Sequence, residues 1–303
     1  MAETTGTNAP PRTVAVVGGG TMGTGIAYVF AAAGSAVRLV EPDRARQKSV
    51  RGVLAEAARA GRARGKLTAA QEDAVNSCIV MLGAADALTC GLDLIVETVP
   101  ENPALKERLA RQLSALEPQL LATNTSSISI NRLAAHAADP TRFLGMHFFN
   151  PVWSLPMVEL VRGSATSVAT IALARSFAEA IGKTTIVSED IPGFATSRLD
   201  VLSAMEAMRM LEDGVASAED IDKAMVTAFR HPVGPLRLSD IVGLDVRLDI
   251  ATHLSGELGE RFAPPKLLKD MVARGDLGVK SGQGFFSWAD TRYFVSQNVA
   301  PKQ

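Results

Sequence analysis

At 303 residues, 47% hydrophobic and 21% charged, the chain has the size and composition of a globular two-domain protein, which excludes a disordered or fibrous one. A formal net charge of −1 gives the chain as a whole no electrostatic reason to seek nucleic acid or a membrane surface. Its two cysteines, Cys78 and Cys90, form no metal-binding or redox spacing and are expected to be buried thiols, so no metal is expected.

Residues 1–11 are polar, lack the apolar centre of a signal peptide and read as a disordered tail of a soluble, cytoplasmic protein. The apolar run 26–33 is too short to span a bilayer and is broken by Gly34. From Thr13 onward, short β-branched runs alternate with longer helical stretches, the pattern of a parallel sheet with crossover helices. Strands are expected at 13–17, 36–40, 79–82, 92–97, 120–123, 143–147, 156–161 and 184–187, the last two not necessarily parallel. Helices are expected at 23–33, 44–65, 103–116 and 169–181. After Ser188-Glu189-Asp190-Ile191-Pro192-Gly193 the strand-like runs stop, and helical periodicity takes over at 199–213, 218–228, 236–258 and 265–274. The expectation is an α/β protein, with a Rossmann-type domain over 12–189 and a mainly α-helical domain over 190–303.

The first strand runs into Gly18-Gly19-Gly20-Thr21-Met22-Gly23, a G-x-G-x-x-G loop that opens a helix. Gly18 permits the tight turn, Gly20 lets backbone amides approach a pyrophosphate, and Gly23 lets helix and strand pack closely. The helix start supplies unpaired N–H groups for the anion. Glu41 ends the next strand 18 residues after Gly23, where a carboxylate accepts the ribose hydroxyls and repels a 2′-phosphate. The dinucleotide is therefore NAD before NADP, with Arg44 and Arg46 weighing the other way and FAD the main competitor.

Between Arg44 and Lys66 lie eight basic residues against one acid, Glu56. At 100° per residue Arg44, Lys48, Arg51, Arg59, Arg62 and Lys66 fall within an arc of about 80°, with Val50, Val53, Leu54 and Ala57 free to pack inward. Such a stripe is either a solvated face or a seat for a polyanionic handle, such as the phosphates of coenzyme A or an acidic carrier protein.

Residues 120–127 switch from apolar to polar at a strand tip, which places Asn124 and Ser126 at the ligand-binding edge of a parallel sheet or in a turn that caps a helix. His147 ends the strand after that and has the pKa to exchange a proton with a substrate hydroxyl near neutral pH. Glu159 interrupts the apolar run of residues 156–161, and a buried carboxylate needs a partner. His147 is the natural one, since Asn150-Pro151 between them allows the chain to turn back.

Taken in this order, the residues resemble the 3-hydroxyacyl-CoA dehydrogenase family from about Arg12 to Trp288. The likeness rests on the glycine loop, Glu97-Thr98-Val99-Pro100-Glu101-Asn102, Asn124-Thr125-Ser126-Ser127 and His147-Phe148-Phe149-Asn150-Pro151. It continues through Pro192-Gly193-Phe194, Gly234-Pro235-Leu236, Gly243-Leu244-Asp245 and Lys280-Ser281-Gly282-Gln283-Gly284-Phe285. The resemblance implies NAD held at Gly18, Gly20, Thr21, Met22, Gly23 and Glu41, with Glu101, Lys106, Asn124 and Asn150 contacting it or shaping its site. It implies His147 as general base, Glu159 as its partner and Ser126 as the group that hydrogen-bonds the substrate 3-oxygen. Ser49, with Arg51 and Arg59 on the basic helix, would contact coenzyme A. A helical C-terminal domain that dimerises is also implied. One departure is Ser197, which stands where the family pattern after Pro-Gly-Phe has an asparagine; serine keeps a donor and an acceptor but reaches less far. Trp153 and Pro156, between the dyad members, are placed to reshape the acyl pocket. The implied reaction is reversible oxidation of an (S)-3-hydroxyacyl-CoA by NAD. Its rivals are the same chemistry on an acyl-carrier-protein thioester, on a free hydroxy acid as in the carnitine and gulonate dehydrogenases, or an NAD-binding relative without turnover.

Overall fold

Runs of Val, Ile and Leu that are buried on both faces call for a parallel sheet sandwiched between helices. The computed structural model describes residues 9–288, so most of the expected tail lies outside the described residues. Strands β1 (Thr13–Val17), β2 (Ala36–Val40), β3 (Ile79–Leu82), β4 (Leu94–Glu97), β5 (Leu120–Thr123), β6 (Phe143–Phe148), β7 (Met157–Arg162) and β8 (Thr184–Glu189) form one sheet in the order β3-β2-β1-β4-β5-β6-β7-β8. Every neighbouring pair is parallel except β6 and β7, which are antiparallel with His147 directly opposite Glu159. The strand order reverses between β1 and β4, and the carboxyl ends of those strands form the crevice where such sheets bind ligands.

Helices cover both faces. On one, α1 (Thr21–Ala32), α2 (Arg44–Ala63), α3 (Ala69–Ser77) and α6 (Val168–Ala180) press Ile26, Phe30, Leu54, Val75 and Phe177 against Val14, Val16, Leu94 and Val96. On the other, α4 (Pro103–Ser114) and α5 (Ile130–Ala134) place Leu109, Leu113 and Leu133 against Ala15, Ile95 and Leu121. Local chemistry sets the helix starts. The Asp43 carboxylate accepts from the amides of Ala45 and Arg46 to begin α2, and Asn102 with Pro103 begins α4. The short α3 falls outside the expected helices, although Thr68 and Gln71 form a full capping box there.

Two compact units divide after Phe194. The run 190–194, expected to open the second domain, packs with the first. Asp190 accepts from the Ser129 hydroxyl and the amides of Ile130 and Asn131, so it caps α5. The second unit is helical: α7 (Thr196–Glu212), α8 (Ala218–Ala228), α9 (Pro235–Val242), α10 (Leu244–Leu258) and α11 (Lys266–Arg274). Its core gathers Met205, Met208, Leu236, Leu244, Leu254 and Leu268. The single helix expected at 236–258 is two, because Gly243 takes φ +106°, a value no helix contains. Within this unit the fully buried Asp240 accepts from the Phe285 and Phe286 amides and the Trp288 indole, which ties residues 285–288 to α9.

The two cysteines differ from expectation: Cys90 is exposed and Cys78 half-buried, since each sits in a connection at a strand edge and not in a core. Among the described residues no helix is long and apolar enough to cross a membrane, and no cluster of His, Cys, Asp or Glu could hold a metal ion.

Gly23 is set by packing: a Cβ there would lie 1.8 Å from the Gly18 carbonyl oxygen, whereas one at Gly20 would meet nothing within 4 Å. Gly23→Ala is therefore expected to lower stability by about 2 kcal/mol or more, and Gly20→Ala by well under about 1 kcal/mol, in urea denaturation. Equal losses in the two variants would contradict this reading of the loop.

Candidate active site

The glycine loop is held from three sides. The Gly18 amide donates to Val40 O at 2.9 Å, and the Thr98 hydroxyl donates to Gly18 O at 2.9 Å from the end of β4. Glu41 is buried at the end of β2; its Oε2 accepts from the Gly19 amide at 3.2 Å and its Oε1 from the Asp43 amide at 3.0 Å. Each carboxylate oxygen keeps a lone pair for a further donor. The first intrahelical bond of α1 runs from Thr24 N to Gly20 O, so the amides of Thr21, Met22 and Gly23 lie ahead of it. These amides, the open space at Gly20 and the acid at the end of β2 form the donor and acceptor set that a dinucleotide pyrophosphate and ribose require.

A second polar cluster sits at the ends of β4 and β5. Lys106, in the first turn of α4, is 1% exposed, so it cannot touch a ligand directly. Its ammonium donates to Glu97 Oε1 at 2.9 Å and lies 3.4 Å from Glu101 Oε2. Glu97 also accepts from the Thr123 hydroxyl at 2.7 Å and the Val99 amide at 2.7 Å. Glu101 in turn organises the strand tip after β5: its Oε1 accepts from the Thr125 hydroxyl, the Ser127 hydroxyl and the amides of Ser126 and Ser127. Burial alone would raise the Glu101 pKa. The Thr125 hydrogen bond, the Lys106 charge and the Ser127 and Ser126 bonds outweigh burial and hold it below the ordinary 4.5. Ser126 keeps its side chain exposed beside this carboxylate. Asn124 is half-buried and its Oδ1 accepts from the Phe148 amide at 2.9 Å, which joins the β5 tip to the end of β6.

The third element is the cross-strand pair. Glu159 has no exposed surface, and its Oε2 lies 3.1 Å from His147 Nδ1. Glu159 Oε1 accepts from the Ser188 hydroxyl on β8 at 2.9 Å. With Nδ1 facing the carboxylate, the network assigns the proton there and leaves Nε2 to face outward. Phe149 and Phe194 flank the imidazole, with ring centroids 4.5 and 6.0 Å away. Phe194 reaches this position from a left-handed backbone, φ 47°, directly after Gly193 at φ 74°. Asn150, exposed, begins a cis peptide bond to Pro151 just beyond.

Thus one edge of the first unit gathers Gly18, Gly20, Thr21, Met22, Gly23, Glu41, Glu101, Asn124, Ser126, His147, Glu159 and Asn150, with Lys106 beneath them. Ser197 lies in the first turn of α7, in the second unit. The basic stripe is partly redrawn. α2 ends at Ala63 and Gly65 takes φ +67°, so Lys66 is off the helix. Arg44, Lys48, Arg51, Arg59 and Arg62 are exposed along it, with Arg59 paired to Glu56. Ser49 is exposed too, turned about 100° from Lys48. Val53, expected to pack inward, is 45% exposed because the buried face is centred on Val50, Leu54 and Ala58. Glu97, Thr123 and Ser188 were not expected as site residues; a buried acid at the tip of β4 was the readable signal for the first.

Known proteins resemble this chain over both of its units. Residues 13–191 match the 3-hydroxyacyl-CoA dehydrogenase NAD-binding domain and residues 193–288 the C-terminal domain of the same family. The chain belongs to the 3-hydroxyacyl-CoA dehydrogenase family. It is 41% identical over 280 residues to a 3-hydroxybutyryl-CoA dehydrogenase of Mycobacterium tuberculosis, covering 91% of this chain and 98% of that protein. A probable 3-hydroxybutyryl-CoA dehydrogenase of Bacillus subtilis is 38% identical, covering 92% and 98% of the two chains. The crystal structure of (S)-3-hydroxybutyryl-CoA dehydrogenase from Ralstonia eutropha superposes with a TM-score of 0.87 at 37% identity, over 92% of this chain and all of that one.

Two outcomes are expected of the buried charges. Lys106→Met leaves Glu97 without its cation in a site with almost no water, and should cost about 3–5 kcal/mol in urea denaturation; a loss below about 1 kcal/mol would contradict the buried-pair reading. For Glu101 the folded pKa is depressed, so its stabilisation is present above pH 4.5 and is lost as pH falls through the lower folded value. Melting temperature should therefore fall more steeply below pH 4.5 in the native protein than in Glu101→Gln.

Proposed function

We propose that this chain catalyses the reversible, NAD-dependent oxidation of an (S)-3-hydroxyacyl-CoA to the 3-oxoacyl-CoA, with His147 as general base. The observation that carries the chemistry is the buried pair of His147 and Glu159, set on the same sheet edge as the glycine loop. NAD, when bound, supplies the hydride acceptor. Gly20, Thr21, Met22 and Gly23 would hold its phosphates through backbone amides, with Gly18 forming the turn beneath them, and Glu41 would hold its ribose. Glu101, itself placed by Lys106, shapes the nicotinamide end together with Asn124 and Asn150.

His147 Nε2 takes the proton of the substrate hydroxyl as the C3 hydride leaves. Glu159 keeps the ring in one tautomer and stabilises the imidazolium that forms, in a site where water does not screen the interaction. The exposed Ser126 hydroxyl donates to the substrate oxygen, and Ser197 serves as a shorter-reaching helper. In the reductive direction the same imidazolium returns the proton. The names of the relatives favour a short acyl chain, with acetoacetyl-CoA as the reductive substrate. Arg51 and Arg59, with Ser49 on the same helix, receive the phosphates of coenzyme A. The protein works as a cytoplasmic homodimer joined through its helical C-terminal unit.

The test is NADH consumption with acetoacetyl-CoA and, separately, with free acetoacetate. Fast turnover of the thioester alone is expected; turnover of the free acid at a similar rate would overturn the coenzyme A handle. His147→Ala should lower kcat by about 100-fold or more, and Glu159→Gln should follow it in the same direction. Near-native turnover in His147→Ala would refute the base. Replacing Arg51, Arg59 and Arg62 together by Ala should raise KM for acetoacetyl-CoA at unchanged kcat; an unchanged KM would return them to the solvent face.

A further inference from the structure

The connection between β6 and β7, residues 149–156, carries the chain from His147 round to Glu159. It turns tightly: the amides of Ser154 and Leu155 both donate to Pro151 O at 3.0 Å. Two carbonyls of this turn point at one side chain from a distant element. Lys183, the last residue before β8, donates from Nζ to Val152 O and to Leu155 O, the latter at 2.6 Å. The next residue fastens the same segment, since the Thr184 amide donates to Pro156 O at 2.6 Å.

Lys183 is 7% exposed and takes part in no ion pair among the described residues. Burial holds its pKa below the usual lysine value. A buried ammonium answered only by carbonyl oxygens is an expensive way to close a turn, since a neutral donor or an apolar side chain avoids the desolvation. What the charge adds is strength and direction in both hydrogen bonds.

The upper side of the turn is braced on α1, the helix that opens the glycine loop. Val152 is buried against Gly25, where even a Cβ would stand 2.7 Å from it. Trp153 leans on Tyr28 with ring centroids 5.5 Å apart. The connection is thus gripped from beneath by Lys183 and fitted above to the dinucleotide-binding helix, with the acid–base pair at its two ends.

We propose that Lys183 is a positioning residue for proton transfer: it locks the 149–156 connection, and thereby holds His147 and Glu159 in fixed relation to α1 and the glycine loop. The proposal rests on His147 as the base and adds a residue whose role is exerted through the turn alone.

The experiment compares the native enzyme with Lys183→Met, Lys183→Gln and Lys183→Arg, alongside His147→Ala. Three quantities are read: kcat, the KM values for NADH and acetoacetyl-CoA, and the emission of Trp153, taken as the difference from the matching Trp153→Phe protein. Lys183→Met is expected to lose at least tenfold in kcat while KM for NADH stays within twofold. Its Trp153 emission should shift and become easier to quench with acrylamide. Lys183→Arg, which keeps the charge and the donors, should recover most of kcat and the native emission. Should Lys183→Met fail to fold, Lys183→Gln is read the same way. A folded neutral variant with kcat within twofold of native, or one whose kcat falls while the Trp153 emission stays native, overturns the proposal. Activity kept by the Lys183 variants but lost in His147→Ala sinks the role of Lys183 alone; activity kept in both sinks the base assignment.

Discussion

A negative charge that cannot reach water must be answered from within the protein, and that constraint shapes this sheet edge. Glu97 and Glu159 are both buried, one ending β4 and the other within β7. The chain answers them differently. Glu97 meets Lys106, the Thr123 hydroxyl and the Val99 amide, a buried cation and two neutral donors. Glu159 meets the Ser188 hydroxyl and His147, whose side-chain type titrates near neutrality. The first arrangement places Lys106 beside Glu101, which organises the β5 tip. The second pairs the carboxylate with an imidazole, the group to which the proposed proton transfer is assigned.

A third solution occurs in the second unit. Among the described residues, two amides and the Trp288 indole donate to Asp240, and the Arg237 charge also acts on it. Burial there outweighs the hydrogen bonds and the Arg237 charge and pushes its pKa up, and the carboxylate fastens residues 285–288 to α9.

Much of this was legible in the sequence because the signals were local. β1 and α8 fall at their expected residues, since alternation and capping act over a few neighbours. The pairing of His147 with Glu159 could be inferred because they are twelve residues apart in a segment that must turn back. The contacts that escaped are those between distant segments. Nothing in the sequence brings Ser188 to Glu159 across 29 residues, or Asp190 to α5 across 60. Asp190-Ile191-Pro192-Gly193 has the composition of a linker, yet its first residue is a helix cap of the first unit. Gly243 falls within the single helix expected at 236–258, while its positive φ makes it the break between α9 and α10. The basic stripe was drawn to Lys66, beyond the end of α2 at Ala63, because periodicity does not show where a helix stops.

The order of the strands makes the two halves of this edge unequal in how they are assembled. β6 and β7 are neighbours in the chain and can meet by closing a short loop, as soon as that stretch exists. β1, in contrast, waits for β4, and Thr13 makes its hydrogen bonds with Asp93 across 80 residues. Contacts of such separation carry the larger entropic cost of ordering and dominate the rate at which a mixed sheet forms. The hairpin that carries the imidazole is thus kinetically cheap, and the crevice beside the glycine loop closes only when the centre of the sheet does. When the whole chain refolds, His147 is therefore brought opposite Glu159 at a lower entropic cost than the one that closes the crevice beside the glycine loop.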